Sequence, residues 1–250
     1  EDTEGNPLAD SVSGTTSDQV ITVQFKSIPG YSPDYYQKTL QMTSDPSQNV
    51  ITFVYTPNAL ATYTIEYYQQ NVSGVGYTLV AADTVSGTKP VGSTVTAPIL
   101  SYDGFTHNVS ISHIHGTVTQ SGLTLQVYYD RNTYGYTAHY YLNDGTETSV
   151  ASDVTGTARF GADVTVYDAA PTGYVLCSGA ASQAINITSN PDNNVAIFYY
   201  EARSDLSYTL YYYEQGTINP VKDPVVVGNQ TFGDIVTLDE PPTSITKEGV

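Results

Sequence analysis

This sequence predicts a mainly β protein built of tandem repeats with little helix, on three observations. Thr, Val and Tyr (34, 26 and 23) supply a third of the 250 residues, and β-branched and aromatic side chains suit a pleated, half-buried surface. Leu and Glu, at 12 and 8, are too scarce for several amphipathic helices, and no apolar period of 3.6 residues is sustained. Short strand-like motifs return in one order at one period.

The repeat begins with an opening strand, read as Tyr63-Thr-Ile-Glu-Tyr-Tyr68, Tyr136-Thr-Ala-His-Tyr-Tyr141 and Tyr208-Thr-Leu-Tyr-Tyr-Tyr213, offset by 73 and then 72 residues. A glycine marker follows at Ser13-Gly-Thr15, Ser86-Gly-Thr88, Thr155-Gly-Thr157 and, degenerate, Val227-Gly-Asn229. A Gly-aromatic pair comes next, at Gly30-Tyr31, Gly104-Phe105 and Gly173-Tyr174, and a closing strand ends the unit at Phe53-Val-Tyr55, Val127-Tyr-Tyr129 and Phe198-Tyr-Tyr200. The register divides the chain into 1–58, lacking an opening strand, then 62–132, 133–204, and 205–250, lacking a closing strand. A cut at each end would leave an unpaired sheet edge, so either frayed termini or head-to-tail self-association through these terminal copies is expected.

Within a copy, Tyr63 to Gln69 leads through a polar turn into Tyr77 to Val85 as a hairpin, and Asn143-Asp-Gly145 marks the same turn in the third copy. Segments 93–97 and 163–167 read as third strands, and the glycine of the Gly-aromatic pair is expected at positive φ so that the next ring turns into the core. A helix over Tyr35 to Met42 is compatible with the first copy. Linkers as short as Asn58-Ala-Leu-Ala-Thr62 favour an extended array.

With 8 basic against 25 acidic side chains the formal charge is −17, which excludes nucleic acid as an electrostatic partner. No run of 18 apolar residues occurs, so no membrane insertion is expected, and the single Cys177 cannot form an internal disulfide.

The residues Gly5-Asn-Pro-Leu-Ala-Asp-Ser11, Ser13-Gly-Thr15, Ile28-Pro-Gly-Tyr31 and Ile51-Thr-Phe-Val-Tyr-Thr-Pro57 resemble the mucin-binding-protein (MucBP) repeat of Gram-positive surface adhesins and the related internalin-type B repeats. Copies two and three depart from that pattern, since Gln69-Gln-Asn-Val-Ser-Gly-Val-Gly76 replaces the turn after the first strand. The resemblance implies an α+β, ubiquitin-like β-grasp module repeated along a stalk attached to the cell wall and facing host mucin or other glycoproteins.

Candidate binding residues are the Tyr doublets Tyr67-Tyr68, Tyr128-Tyr129, Tyr140-Tyr141 and Tyr199-Tyr200. Alternation along a strand turns one ring inward and its neighbour outward, and adjacent opening and closing strands would line the outward rings into a flat row able to stack on sugar faces. The same doublets also serve plain cross-strand stabilisation, which leaves two functions open: a glycan-binding adhesin repeat, or a spacer presenting a distal adhesive domain. His107, His113 and His115 lie within nine residues but have no Cys or carboxylate at a ligand spacing, and a solvated loop is the simpler account, so no metal site is assigned. Cys177 reads as a small apolar group. The acidic clusters Glu1-Asp2-Thr-Glu4 and Asp239-Glu240 read as solvated turns, and the Asn-x-Ser/Thr sites at Asn71, Asn108, Asn186 and Asn229 matter only in a source that glycosylates. His139 has no nucleophile motif around it, and Lys26, Lys38, Lys89, Lys222 and Lys247 do not recur at equivalent positions as intramolecular isopeptide donors would. No catalysis and no cofactor are expected.

Overall fold

A computed structural model describes residues 1–177 and 179–237; Asp239, Glu240 and Lys247 lie outside the described residues. The chain is nearly all β and falls into two compact units, Glu1–Asn132 and Thr133–Val250. In the first, the opening strand Leu60–Gln70 is central, with Tyr77–Leu79 and Val85–Pro90 antiparallel on one edge and the closing strand Leu123–Arg131 parallel on the other. In the second, Thr133–Leu142 is flanked by Val154–Arg159 antiparallel and Val195–Ala202 parallel. Each closing strand then takes the strand that follows the Gly-aromatic pair, Phe105–His107 or Tyr174–Leu176, on its far edge.

A parallel pair of first and last strands is the β-grasp arrangement, yet no α-helix crosses over it among the described residues. A two-stranded ribbon covers the sheet instead, Thr94–Thr96 with His115–Thr117 in the first unit and Asp163–Tyr167 with Ser182–Asn186 in the second. Alternate residues of sheet and ribbon close the two cores: Ile65, Tyr67, Val95, Leu125, Val127 and Tyr129 in one, Ala138, Tyr140, Val166, Ile185, Phe198 and Tyr200 in the other.

The glycine marker has a steric cause. Tyr63 stands opposite Gly87 and Tyr136 opposite Gly156, and each ring lies across its glycine: a Cβ on Gly87 would come within 2.8 Å of the Tyr63 hydroxyl oxygen. In these two copies the first Tyr of the opening strand therefore requires a residue without a side chain on its antiparallel neighbour, whereas in the fourth copy Tyr208 stands opposite Val227 and nothing lies within 4 Å of Gly228. Around Gly14, whose copy has no such Tyr, nothing lies within 4 Å.

Tyr35 to Met42 forms no helix. Gln37–Gln41 is a strand paired with Val20–Gln24, tied by Thr22 to Thr39 (3.2 Å) and Gln24 to Gln37 (3.0 Å), and these cross-strand bonds outweigh a weak helical pattern. The Tyr77 to Val85 strand is broken by a 3-10 turn at Ala81–Asp83, and the Asn143-Asp-Gly145 turn is longer than two residues, with Leu142 N–H donating to Thr148 O. At the two terminal copies, Asp2 bridges Tyr55 in parallel, and Leu206–Tyr213 is paired by Pro220–Gln230 on one edge.

Candidate functional site

The inner members of the doublets are tethers. Tyr67, Tyr129, Tyr140 and Tyr200 are each 1% exposed, which removes them from any contact with a ligand. Tyr67 and Tyr140, on opening strands, donate their hydroxyls to Pro98 O (3.0 Å) and Tyr167 O (2.9 Å). On closing strands the hydroxyls of Tyr129 and Tyr200 accept from Leu100 N–H (2.8 Å) and Ala169 N–H (3.2 Å). Tyr55 in the first copy bonds the equivalent loop at Lys26 O (2.6 Å). The paired rings thus clamp the loop before each Gly-aromatic pair, each giving one backbone group of that loop a buried partner.

Burial pushes the pKa of Tyr67, Tyr129 and Tyr140 up, and burial followed by a hydroxyl bond to a carboxylate pushes up Tyr102 (to Asp83) and Tyr200 (to Asp168). Unfolded tyrosine releases its proton near 10.0, before these folded ones do. The stability they carry is therefore complete below about pH 10 and falls as pH rises from there through the raised folded values. Alkaline titration is expected to show tyrosinate absorbance rising together with loss of the β circular-dichroism signal; smooth ionisation with the signal intact would contradict the burial.

The outer members differ between units. In the first, Tyr68 and Tyr128 face each other in register and stack at 4.9 Å and 19°. That separation equals the spacing of neighbouring strands, so the rings stand side by side and form no flat platform. Tyr77 closes the other flank edge-on at 5.0 Å. Their hydroxyls are used: Tyr68 donates to Glu66 (2.8 Å), Tyr128 to Gln126 (3.3 Å) and Tyr77 to Asp130 (2.6 Å). The Glu66 bond holds the Tyr68 phenol above its ordinary pKa.

In the second unit Tyr141 pairs with Tyr199 in register, but their neighbours there are His139 and Ile197, which accept nothing from a phenol. Tyr199 is 44% exposed, Ile197 37%, and neither Tyr141 nor Tyr199 has a hydroxyl partner among the described residues. His139 stacks on Tyr141 at 5.4 Å and 10°, and its Nδ1 lies 3.0 Å from Asp153 Oδ2 without the alignment of a hydrogen bond. Loss of hydration, then the charges of Asp153 and Glu147, raise the Tyr141 pKa. This face offers two phenols, an imidazole and an aliphatic strip: a surface that stacks and donates hydrogen bonds.

His113 and His115 are exposed on one face, while His107 sits against Tyr129 at 5.7 Å on another strand, so the three do not converge. Among the described residues no group of three His, Cys, Asp or Glu could hold a metal, and no helix is long and apolar enough to cross a membrane. Burial and the neighbouring Glu201 push the Cys177 thiol up, away from the reactive thiolate. Lys38 bonds Asp34 (2.6 Å) and Thr52 O (2.5 Å). One motif escaped the sequence reading, the loop Thr43-Ser-Asp-Pro-Ser-Gln-Asn49 and its counterpart Thr188-Ser-Asn-Pro-Asp-Asn-Asn194, each a 3-10 turn capped by Asp45 or Asn190. Its absence from the second copy hid the period.

No family model matches the chain. Internalin J of Listeria monocytogenes serotype 4b (strain F2365) is 32% identical over 127 residues, covering 50% of this chain and 13% of that protein. Internalin J of serovar 1/2a (strain ATCC BAA-679 / EGD-e) is 31% identical over 124 residues, covering 49% and 14%. The matches thus span only a small part of these relatives' length. The crystal structure of Mub-RV aligns with 57% of this chain and 98% of its own at 11% identity and a TM-score of 0.20, too low to carry an argument. Over half its length the chain therefore resembles an adhesin-like surface repeat protein of the internalin kind, and neither relative is named for mucin.

Proposed function

We propose that the chain is the repeat region of a bacterial cell-surface adhesin, four copies of one module (1–58, 62–132, 133–204 and 205–250), which holds host mucin-type or other glycoprotein glycans through weak, multiplied contacts. The observation that carries this reading is the in-register pair Tyr141 and Tyr199 on the solvent face of the second unit, with hydroxyls that have no partner among the described residues and an exposed ring. At −17 the chain does not attract sialylated or sulfated chains by charge, so contact rests on stacking and hydrogen bonding. The protein is expected to be retained on immobilised mucin equally at low and high ionic strength, and Tyr199→Ala to lose retention with its circular dichroism unchanged. No retention at either salt concentration would leave the second reading, a spacer. Its own support is the first unit, where Tyr68, Tyr77 and Tyr128 spend their faces and hydroxyls on one another and on Glu66, Gln126 and Asp130.

A further inference from the structure

The Gly-aromatic pair does more than turn a ring into the core. We infer that at Gly30 and Gly173 its glycine is the seat on which the next copy docks, so that copies one and two, and copies three and four, each lock into one body; this rests on the four-copy division above and not on glycan binding.

In the first unit Gly30 (φ +86°) accepts Asn58 N–H at its carbonyl (2.8 Å). A Cβ there would lie 2.6 Å from Ser93 Oγ and 3.3 Å from Pro90 Cβ, which are in the turn after the marker strand of the following copy and at that strand's last residue. Asn58 spans the joint: its Nδ2 donates to Val91 O (2.5 Å) and its Oδ1 accepts from the Ser32 hydroxyl (2.7 Å), while Val91 N–H donates to Ala59 O (2.8 Å).

The second unit builds the same joint from other side chains. Gly173 (φ +86°) accepts Arg203 N–H (2.9 Å), and Phe232 N–H donates to Arg203 O (2.7 Å). The Phe232 ring covers Gly173 so closely that a Cβ would meet three ring carbons at 2.5 Å, and Tyr174 meets that ring edge-on at 5.4 Å. Val91-Gly92 and Phe232-Gly233 both follow a marker strand, and both glycines have φ +91°. Two seats with one backbone geometry and unrelated side chains mark a docking surface whose partner is the turn of the next copy. Each compact unit accordingly contains two copies. Glycine is required twice over, by its left-handed backbone and by the lack of room for a side chain.

Trypsin reads the joint directly, because the Arg203 backbone is bonded on both sides within it and the Arg203–Ser204 bond is cut only after local opening. In the full chain, Gly173→Ala and Phe232→Ala are each expected to speed cleavage at Arg203 roughly tenfold, with cleavage at Arg159, inside the third copy, unchanged. In the double variant the alanine at 173 no longer meets a ring but keeps its left-handed strain, so the increase it adds over Phe232→Ala is smaller than the increase it causes alone. Unchanged cleavage in both single variants would overturn the joint. So would a parallel rise at Arg159, which would place the glycine's role inside its own copy, or a full additive effect in the double variant, which would reduce that role to backbone strain. Mucin retention can fail with all these outcomes intact, so the two proposals fall separately.

Discussion

Tyr200→Ala is expected to destabilise the second unit by about 3–5 kcal/mol, the range for deleting a buried aromatic side chain, whereas Tyr199→Ala, one residue away, stays within about 0.5 kcal/mol of wild type. The two rings leave the same strand on opposite faces, one at 1% and the other at 44% exposure. Tyr200 is lost from the cluster with Tyr140 and Phe198, and its removal also strips Ala169 N–H and Asp168 of their partner. Tyr200→Phe separates the contributions: the ring remains, Ala169 N–H loses its acceptor while Asp168 keeps Ala170 N–H, and the cost falls to about 1 kcal/mol. Urea unfolding followed by circular dichroism measures all three. Equal losses for Tyr199→Ala and Tyr200→Ala would show that the strand faces are wrongly assigned.

Asn194→Ala is the second large effect. Asn194 is 1% exposed, and its amide closes the loop of the third copy: Nδ2 donates to Gly135 O (3.2 Å) and Thr188 O (3.0 Å), and Oδ1 accepts from Thr188 N–H (2.9 Å) and its hydroxyl (3.2 Å). Removing it empties a buried site and takes these partners from Thr188, in the loop, and from Gly135, on the opening strand, at about 2–4 kcal/mol. Asn49 makes the same three bonds to Thr43 (2.9, 2.9 and 3.3 Å) but lies part-exposed and reaches no opening strand. Its alanine variant should cost less than about 1 kcal/mol, because water replaces what is lost. Amide exchange at Thr188 is expected to accelerate in Asn194→Ala, and protection there equal to wild type would refute the account.

Much of this was legible in the chain itself. Two-residue alternation required one tyrosine of each doublet to turn inward and its neighbour outward without saying which, and in copies two and three the Gly opposite the first Tyr recorded a steric contact that only glycine permits. The Thr-Ser-x-Pro-x-x-Asn loop was equally local, but it occurs in alternate copies and so does not reveal itself at the basic period. The strand at Gln37–Gln41 was not legible, since it depends on pairing with Val20–Gln24 and not on its own propensity.

The sequence by itself determined the repeat, the β class, the opposite facing of the two rings in each doublet and a charge that turns away polyanions. Which outward ring is free was decided only in three dimensions. The parallel register sets Glu66 beside Gln126 in one unit and His139 beside Ile197 in the other, partners roughly 60 residues apart in the chain. The first pair accepts the hydroxyls of Tyr68 and Tyr128 and stands their rings against each other; the second accepts none, and leaves Tyr141 and Tyr199 with hydrogen bonds still to give.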